Sequence, residues 1–180
     1  MTATEYVVLV DLEDQEIGLA EKLAAHEQNL LHRAFSAFIF REKSNTLELL
    51  LQQRALGKYH SPGLWTNTCC SHPRQGEDII LAGKRRLQEE MGVCAELEHL
   101  GRFHYNAHFP NGLAENEMDH VLLGFIPEHM TFTINPEEVN TFRWVTIPAL
   151  EQELDAHPEH FTPWLKLALA IVKKKLNTPN

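Results

Sequence analysis

The sequence predicts a single α+β domain that folds in water. The chain has 180 residues, which is the length of one ordinary domain with one hydrophobic core. Hydrophobic residues make up 43% of it and charged residues 23%, close to the composition of soluble globular proteins. Strand-like and helix-like patterns are mixed along the chain, and no repeat, low-complexity segment or linker divides it. We therefore expect residues 1–180 to form one domain.

In the first half of the chain, three segments have strand patterns and one has helical periodicity. The predicted strands are residues 6–12, 34–40 and 47–53. A short polar connection joins the last two, which predicts a hairpin. Leu19, Leu23 and His26 recur at helical spacing, which predicts a helix over residues 16–28. Residues 57–76 are rich in turn residues, and a long irregular loop inside a compact domain is usually functional.

The second half begins with the clearest helix, residues 77–91. Ile80, Leu87 and Met91 form its apolar stripe, and Gly92 follows where a C-cap glycine belongs. Further patterns predict three strands and two C-terminal helices. The strands are residues 96–109, 118–126 and 142–147, and the helices are residues 148–154 and 163–176. This mixture is typical of an α+β domain.

Composition and charge exclude several classes of function. The net charge of −9 argues against nucleic acid or an anionic membrane as a partner, because both need a basic surface. The chain has neither a 20-residue apolar span nor a signal-like start, so we expect it in the cytoplasm. Three cysteines, two of them the adjacent Cys69 and Cys70, predict thiols rather than disulfides. Eleven histidines raise the possibility of a metal site.

The segment from Ser71 to Val93 carries the first functional motif. It resembles the Nudix box, G-x5-E-x7-R-E-U-x-E-E-x-G-U, and seven of the nine specified positions agree. A box of this kind places carboxylates near a divalent cation that holds a diphosphate. Ser71 replaces the glycine and Arg86 replaces a glutamate. An arginine there argues against water activation and favours diphosphate binding.

Two short motifs place reactive side chains two residues apart. In an extended chain, Cys70 and His72 point to one side, and so do Glu115 and Glu117. A thiol beside an imidazole can share a site, and paired carboxylates are typical of metal ligands or an acid/base pair. Each motif alone fits an ordinary surface turn equally well. Their joint presence favours a functional site.

Taken together, these motifs closely resemble type I isopentenyl-diphosphate Δ-isomerase, a family with the Nudix fold. The similarity includes the segment Asn-Thr-Cys-Cys-Ser-His-Pro, the modified box, Glu-Asn-Glu and two upstream histidines, and it runs from about Lys22 to about Trp164. The resemblance implies an α/β/α sandwich with a mixed sheet. Its Nudix-like core would span residues 30–150, with the terminal segments packing around the site. It also implies interconversion of isopentenyl and dimethylallyl diphosphate.

The resemblance implies one metal centre in the protein and a second cation bound with the substrate. The implied ligands of the first are His26, His32, His72, Glu115 and Glu117. This set fits Mn, Zn or Mg in octahedral geometry. Glu90 is the implied ligand of a second Mg²⁺ on the substrate diphosphate. The six-residue spacing from His26 to His32 is not one helical face, so the chain should leave the helix between them.

The family's proton-transfer residues fall on Cys70 and Glu117, with Tyr105 assisting. They would protonate one end of the double bond and remove a proton from the other side of a tertiary carbocation. Cys69 should point away as a small buried residue. The face of Trp164 would stabilise the cation, although a core aromatic explains this residue equally well. The implied diphosphate-binding residues are Lys22, Arg54, Lys58 and Arg85.

Two other functions fit parts of the pattern. One is a Nudix diphosphohydrolase acting on a nucleoside diphosphate derivative. The other is a non-catalytic module that binds a metal or a diphosphate and leaves Cys70 and Glu117 structural. The expected partner is a small isoprenoid diphosphate, and both a monomer and a homodimer are compatible with the sequence.

Overall fold

The computed structural model describes residues 4–58 and 60–177. The strands are β1 (Tyr6–Val10), β2 (Glu16–Glu21), β3 (His32–Lys43), β4 (Thr46–Arg54), β5 (Trp65–Thr66), β6 (Cys69–Ser71), β7 (Glu98–His108), β8 (Ala114–Phe125) and β9 (Val139–Thr146). The helices are α1 (Lys22–Glu27), α2 (Ile79–Met91), α3 (Ile147–Ala156) and α4 (Leu165–Leu176). Residues Pro158–His160 form a short 3-10 turn between α3 and α4.

Strand β3 is the centre of a mixed sheet. It pairs in parallel with β8 over residues 32–40, and antiparallel with β4 and β6. Strand β8 then pairs with β7, and β4 pairs with β9. The hairpin turn between β3 and β4 is Ser44-Asn45, and both residues have positive φ (52° and 63°), the conformation of a type I′ turn. The predicted hairpin is confirmed, with longer strands than expected.

The sheet is covered by helices on both faces. One core cluster packs α3 and α4 against residues such as Phe38 and Phe40 of β3. The other packs α2 against the alternate residues Phe35, Ala37 and Ile39. Because successive strand residues face opposite sides, β3 contributes to both cores. The predicted α/β/α sandwich with a mixed sheet is confirmed.

The predicted helix over residues 16–28 is wrong in its first half. Residues 16–21 form β2, which pairs antiparallel with β1. The turn before it is built by Asp11, whose Oδ1 accepts hydrogen bonds from the backbone nitrogens of Glu13 and Gln15. Leu19 and Leu23 are 42% exposed, so they form no core-facing stripe. The hairpin therefore overrides a weak helical periodicity, and only residues 22–27 are helical.

Helix α2 ends where its sequence predicts and begins two residues later than predicted, at Ile79. The side chain of Asp78 accepts hydrogen bonds from the backbone nitrogens of Ile80 and Leu81, which caps the first turn. Gly92 ends the helix with φ +68°. A Cβ at this glycine would lie 2.6 Å from the backbone oxygen of Thr133. Both the conformation and the close approach therefore require glycine.

We expect Gly92→Ala to lower the free energy of unfolding by about 3 kcal/mol. About 1 kcal/mol comes from the left-handed backbone and the rest from the clash with Thr133. Urea denaturation measures this change. Gly76 is a matched control, because its φ is +76° but a Cβ there would meet nothing within 4 Å. Gly76→Ala should cost about 1 kcal/mol, and equal losses for the two variants would contradict the steric argument.

The remaining predicted strands and helices are confirmed with small shifts of their ends. The three cysteines, Cys69, Cys70 and Cys94, are free thiols, as predicted. Within residues 4–58 and 60–177, no helix has the length and apolar character needed to cross a membrane.

Candidate active site

Three of the predicted histidines meet at one point. His26 is on α1, His32 begins β3, and His72 directly follows β6. One ligand nitrogen of each lies within 4.8 Å of the others. The chain leaves the helix after Glu27 and turns at Asn29, where φ is +55°. This confirms the predicted break between His26 and His32.

Backbone carbonyls orient two of these imidazoles. His26 Nδ1 lies 2.9 Å from the carbonyl oxygen of Ala114, and His32 Nδ1 lies 2.9 Å from that of Leu30. A carbonyl only accepts, so each Nδ1 carries the proton and each Nε2 presents a lone pair. Metal-binding histidines are commonly oriented in this way. The buried Nε2 atoms of His32 and His72 make no hydrogen bond within the described residues, as expected of atoms placed to bind a cation.

Two carboxylates from β8 face these imidazoles. Glu117 Oε1 lies 3.8 Å from His32 Nε2 and 3.7 Å from His72 Nε2. Glu115 Oε1 lies 4.0 Å from His26 Nδ1 and 2.9 Å from His60 Nε2. The period of two along a strand places both glutamates on this side of the sheet, as predicted. Imidazoles and carboxylates in one buried cluster are a donor set that suits Zn, Mn or Mg.

Burial sets the protonation of this cluster. It lowers the pKa of His32 to about 4 and that of His72 well below its usual value, so both rings are neutral lone-pair donors near pH 7. Burial and the neighbouring Glu115 charge raise the pKa of Glu117. Burial opposes ionisation of Glu115, but contacts with Glu117 and His60 hold the pKa of Glu115 well below its usual value. Glu115 therefore ionises more readily than Glu117.

Cys70 lies in the same pocket, held by a hydrogen-bond network. Its Sγ donates to Asn67 Oδ1 (3.1 Å) and accepts from Trp164 Nε1 (3.1 Å). Asn67 is fixed in turn, because its Nδ2 donates to the carbonyl oxygens of Ala37 and Cys69. Burial raises the pKa of Cys70 to about 12, so the group is a neutral thiol that can donate a proton. Cys69 points into the hydrophobic cluster under α2, as predicted.

Tyr105 and Trp164 form an aromatic wall of the site. Tyr105 pairs with Glu117 across β7 and β8, and its ring centroid lies 6.2 Å from that of Trp164 in an edge-on arrangement. The buried Tyr105 hydroxyl makes no hydrogen bond within the part of the chain described. Trp164 is therefore both a core residue and a contact of Cys70, so the two interpretations of this tryptophan are compatible.

Four cationic side chains line the same pocket, together with a third carboxylate beside Glu115 and Glu117. The cations are Lys22, Arg54, Lys58 and Arg86, and the third carboxylate is Glu90. Glu90 is 4% exposed, and its Oε2 accepts a hydrogen bond from Arg86 Nη2 (2.8 Å). The pocket therefore concentrates basic side chains in a protein whose net charge is −9.

Arg85 does not line this pocket but an adjoining one, which shares Ser71, His72 and Arg86 with it. Its Nε and Nη2 donate to the two oxygens of Glu77 at 2.8 and 2.9 Å. The neighbouring Arg86 lines the pocket instead. Consecutive helical residues point about 100° apart, so Arg86 lines the pocket of Cys70 and Glu117 while Arg85 points to the adjoining one.

Sequence reasoning also missed three polar residues at the site. Asn67 was part of a motif but received no role. Asp119 continues the alternation of Glu115 and Glu117, and its Oδ2 accepts a hydrogen bond from Ser36 (2.8 Å). That alternation was a usable signal. His60 lies in an irregular loop, where no periodicity could have assigned it to the site.

Comparisons with known proteins show which family this chain resembles. The NUDIX domain model matches residues 30–165. An isopentenyl-diphosphate Delta-isomerase from Photobacterium profundum is 48% identical over 180 residues, which is 99% of each chain. The protein of the same name from Rhodobacter capsulatus is 47% identical over 82% of each chain.

Solved structures show the same fold at low sequence identity. A Deinococcus radiodurans protein covers 94% of this chain and 98% of its own, with a TM-score of 0.71 and 20% identity. A MutT protein from Methanosarcina mazei covers 82% of this chain and 96% of its own, with a TM-score of 0.64 and 17% identity. At this identity the likeness concerns the fold alone.

Proposed function

We propose that this chain, which belongs to the NUDIX domain family and within it to the isopentenyl-diphosphate Delta-isomerases, interconverts isopentenyl diphosphate and dimethylallyl diphosphate. The observation that carries the proposal is the convergence of Cys70 and Glu117 on one pocket from strands β6 and β8. Double-bond migration needs one group to deliver a proton and another to remove one. A neutral thiol and a metal-site carboxyl are suited to these tasks.

The proposed reaction proceeds through a tertiary carbocation. One of the pair, Cys70 or Glu117, protonates one end of the double bond and leaves the positive charge on the tertiary carbon. The other then removes a proton from the carbon on the opposite side of that cationic carbon, which forms the new double bond. The direction of the reaction decides which acts first. Tyr105 lies beside Glu117 and assists its proton transfer. Trp164 orients Cys70 through its indole N–H and encloses the slot with its ring. Enclosure of the pocket by the Trp164 ring would limit the access of water to the carbocation.

We propose that His26, His32, His72, Glu115 and Glu117 hold one divalent cation, Mn, Zn or Mg. The buried lone pairs of His32 and His72 and the close carboxylates support this assignment. When bound, the cation would fix the position of Glu117 and favour its ionised form. Glu90 is the proposed ligand of a second Mg²⁺ that arrives with the substrate diphosphate.

Lys22, Arg54, Lys58 and Arg86 are the proposed diphosphate-binding residues. Three of them are already paired with acids: Arg86 with Glu90, Lys58 with Glu138 and Lys22 with Glu5. A diphosphate would replace these partners with stronger charge-assisted contacts. Cys70 must remain a reduced thiol to transfer a proton, which supports the proposed cytoplasmic location.

We expect Arg86→Ala to weaken binding of isopentenyl diphosphate by about 10- to 100-fold. The loss corresponds to one charge-assisted interaction of about 1.5–3 kcal/mol. Steady-state kinetics and competition by inorganic pyrophosphate measure it. Arg85→Ala is the matched control on the same helix and should leave substrate affinity unchanged, because Arg85 does not line the pocket of Cys70 and Glu117. A larger loss of affinity in Arg85→Ala than in Arg86→Ala would show instead that Arg85 binds the diphosphate, as the family resemblance implies.

The direct test of the activity is product analysis with isopentenyl diphosphate. An isomerase yields dimethylallyl diphosphate and releases no phosphate. A Nudix diphosphohydrolase would release phosphate or a nucleoside monophosphate from a nucleoside diphosphate derivative. The ion pair of Arg86 with Glu90 at the box argues against that alternative, because Arg86 occupies a position where the hydrolase motif has glutamate. Phosphate release without isomerisation would overturn the proposal.

A further inference from the structure

His60 is a buried imidazole at the site that the proposed ligand set does not include. It is 8% exposed, and its Nε2 lies 2.9 Å from Glu115 Oε1, which is hydrogen-bond distance. Its ring centroid lies 5.2 Å from that of His26. His60 therefore contacts a proposed metal ligand and lies next to a second one.

The surroundings of His60 hold it in this position. Its ring stacks on Phe109 with centroids 6.0 Å apart, and it meets the edge of Trp164 at 6.4 Å. Its backbone carbonyl accepts a hydrogen bond from Arg54 Nη2 (3.3 Å). The imidazole is thus fixed by both its ring and its backbone before any ligand binds. Such preorganisation is what a residue needs if it is to orient another side chain.

Both oxygens of Glu115 are buried, and Oε1 is the one that lies 2.9 Å from His60 Nε2. An Nε2–H of His60 that donates to Oε1 would fix the rotation of the carboxylate and leave Oε2 for the cation. Carboxylates that bind metals are commonly hydrogen-bonded in this way, and removing such a partner typically lowers metal affinity 10- to 100-fold.

We propose that His60 is a positioning residue that orients Glu115 at the metal centre. This inference rests on the metal centre of the proposed function. It predicts that metal binding depends on the hydrogen bond donated by the His60 N–H to Glu115, and that the His60 ring does not itself bind the metal. A glutamine, whose amide can donate to Oε1, should therefore replace it, whereas a leucine of similar size should not.

The test measures Mn²⁺ binding to the full chain, with the concentration of free Mn²⁺ determined by electron paramagnetic resonance. We expect His60→Leu to weaken Mn²⁺ binding by about 10- to 100-fold and His60→Gln to recover most of the loss. His129→Gln is the control for loss of one histidine, because His129 is 90% exposed. If His60→Leu does not fold, as judged by circular dichroism, His60→Ala takes its place.

Three results would overturn the inference in distinguishable ways. Wild-type affinity in His60→Leu would show that His60 does not act on the metal centre. Equal weakening in His60→Gln and His60→Leu would show that the imidazole itself is required, as for a direct ligand. If His32→Ala binds Mn²⁺ as tightly as the wild type, the proposed metal centre itself fails, and the role of His60 fails with it.

Discussion

Cys70→Ala is expected to lower kcat for isopentenyl diphosphate by about 10²- to 10⁴-fold, the range of one general acid–base group. The thiol is neutral and aimed by Asn67 and Trp164, so its removal deletes a proton donor with little change elsewhere. Affinity for inorganic pyrophosphate should stay close to the wild-type value, because no proposed diphosphate contact involves the thiol. Steady-state kinetics and pyrophosphate competition separate these two quantities.

Cys69→Ala is the matched control for this experiment. Cys69 is adjacent in sequence but fully buried in the hydrophobic cluster under α2. Its replacement should cost about 1 kcal/mol of stability and leave kcat nearly unchanged. Glu117→Gln should lower kcat as strongly as Cys70→Ala, since it removes the other member of the pair. Wild-type turnover in either Cys70→Ala or Glu117→Gln would show that the pair is misassigned.

Removal of divalent cations is expected to abolish turnover. Glu117 would lose the charge that fixes its position and its protonation. Readdition of Mn²⁺ or Mg²⁺ should restore the activity. The cation should also stabilise the fold: at 100 times its Kd the gain is about 2.7 kcal/mol, or about 5–10 °C in Tm for a chain of this size.

The thermal shift gives a test of the metal centre that does not depend on activity. His32→Ala should lose the cation-induced rise in Tm, because His32 Nε2 is aimed at the centre and its Nδ1 is fixed by Leu30. His129→Gln should keep it. Full turnover after exhaustive chelation, or an unchanged thermal shift in His32→Ala, would contradict a role for this cation.

The parts of the site that obey a simple period were predictable from the sequence. Cys70 and His72 lie two residues apart on an extended chain, and so do Glu115 and Glu117. Strand geometry alone places each pair on one side. The end of helix α2 was equally predictable, because Gly92 supplies its C-cap. Strand alternation and helix capping depend on neighbouring residues alone, so the sequence is enough to predict them.

Tertiary structure decided the parts that the sequence did not predict. Residues 16–21 form a strand because they pair with β1, and the side chain of Asp11 stabilises the turn between the two strands. Arg85 and Arg86 are adjacent, and the sequence does not show which of them lines the pocket. In the structure Arg86 lines it, whereas Arg85 is hydrogen-bonded to Glu77. His60 reaches Glu115 across 55 residues of chain from a loop with no pattern.

The central claim is that this chain moves a proton onto and off an isoprenoid diphosphate while the diphosphate stays intact. The most direct test is incubation of the protein with isopentenyl diphosphate in D₂O, followed by NMR, with Cys70→Ala as the background sample. The account predicts deuterium in dimethylallyl diphosphate and in recovered substrate, and no free phosphate. Absence of deuterium from both compounds, in a sample that binds the substrate, would contradict it.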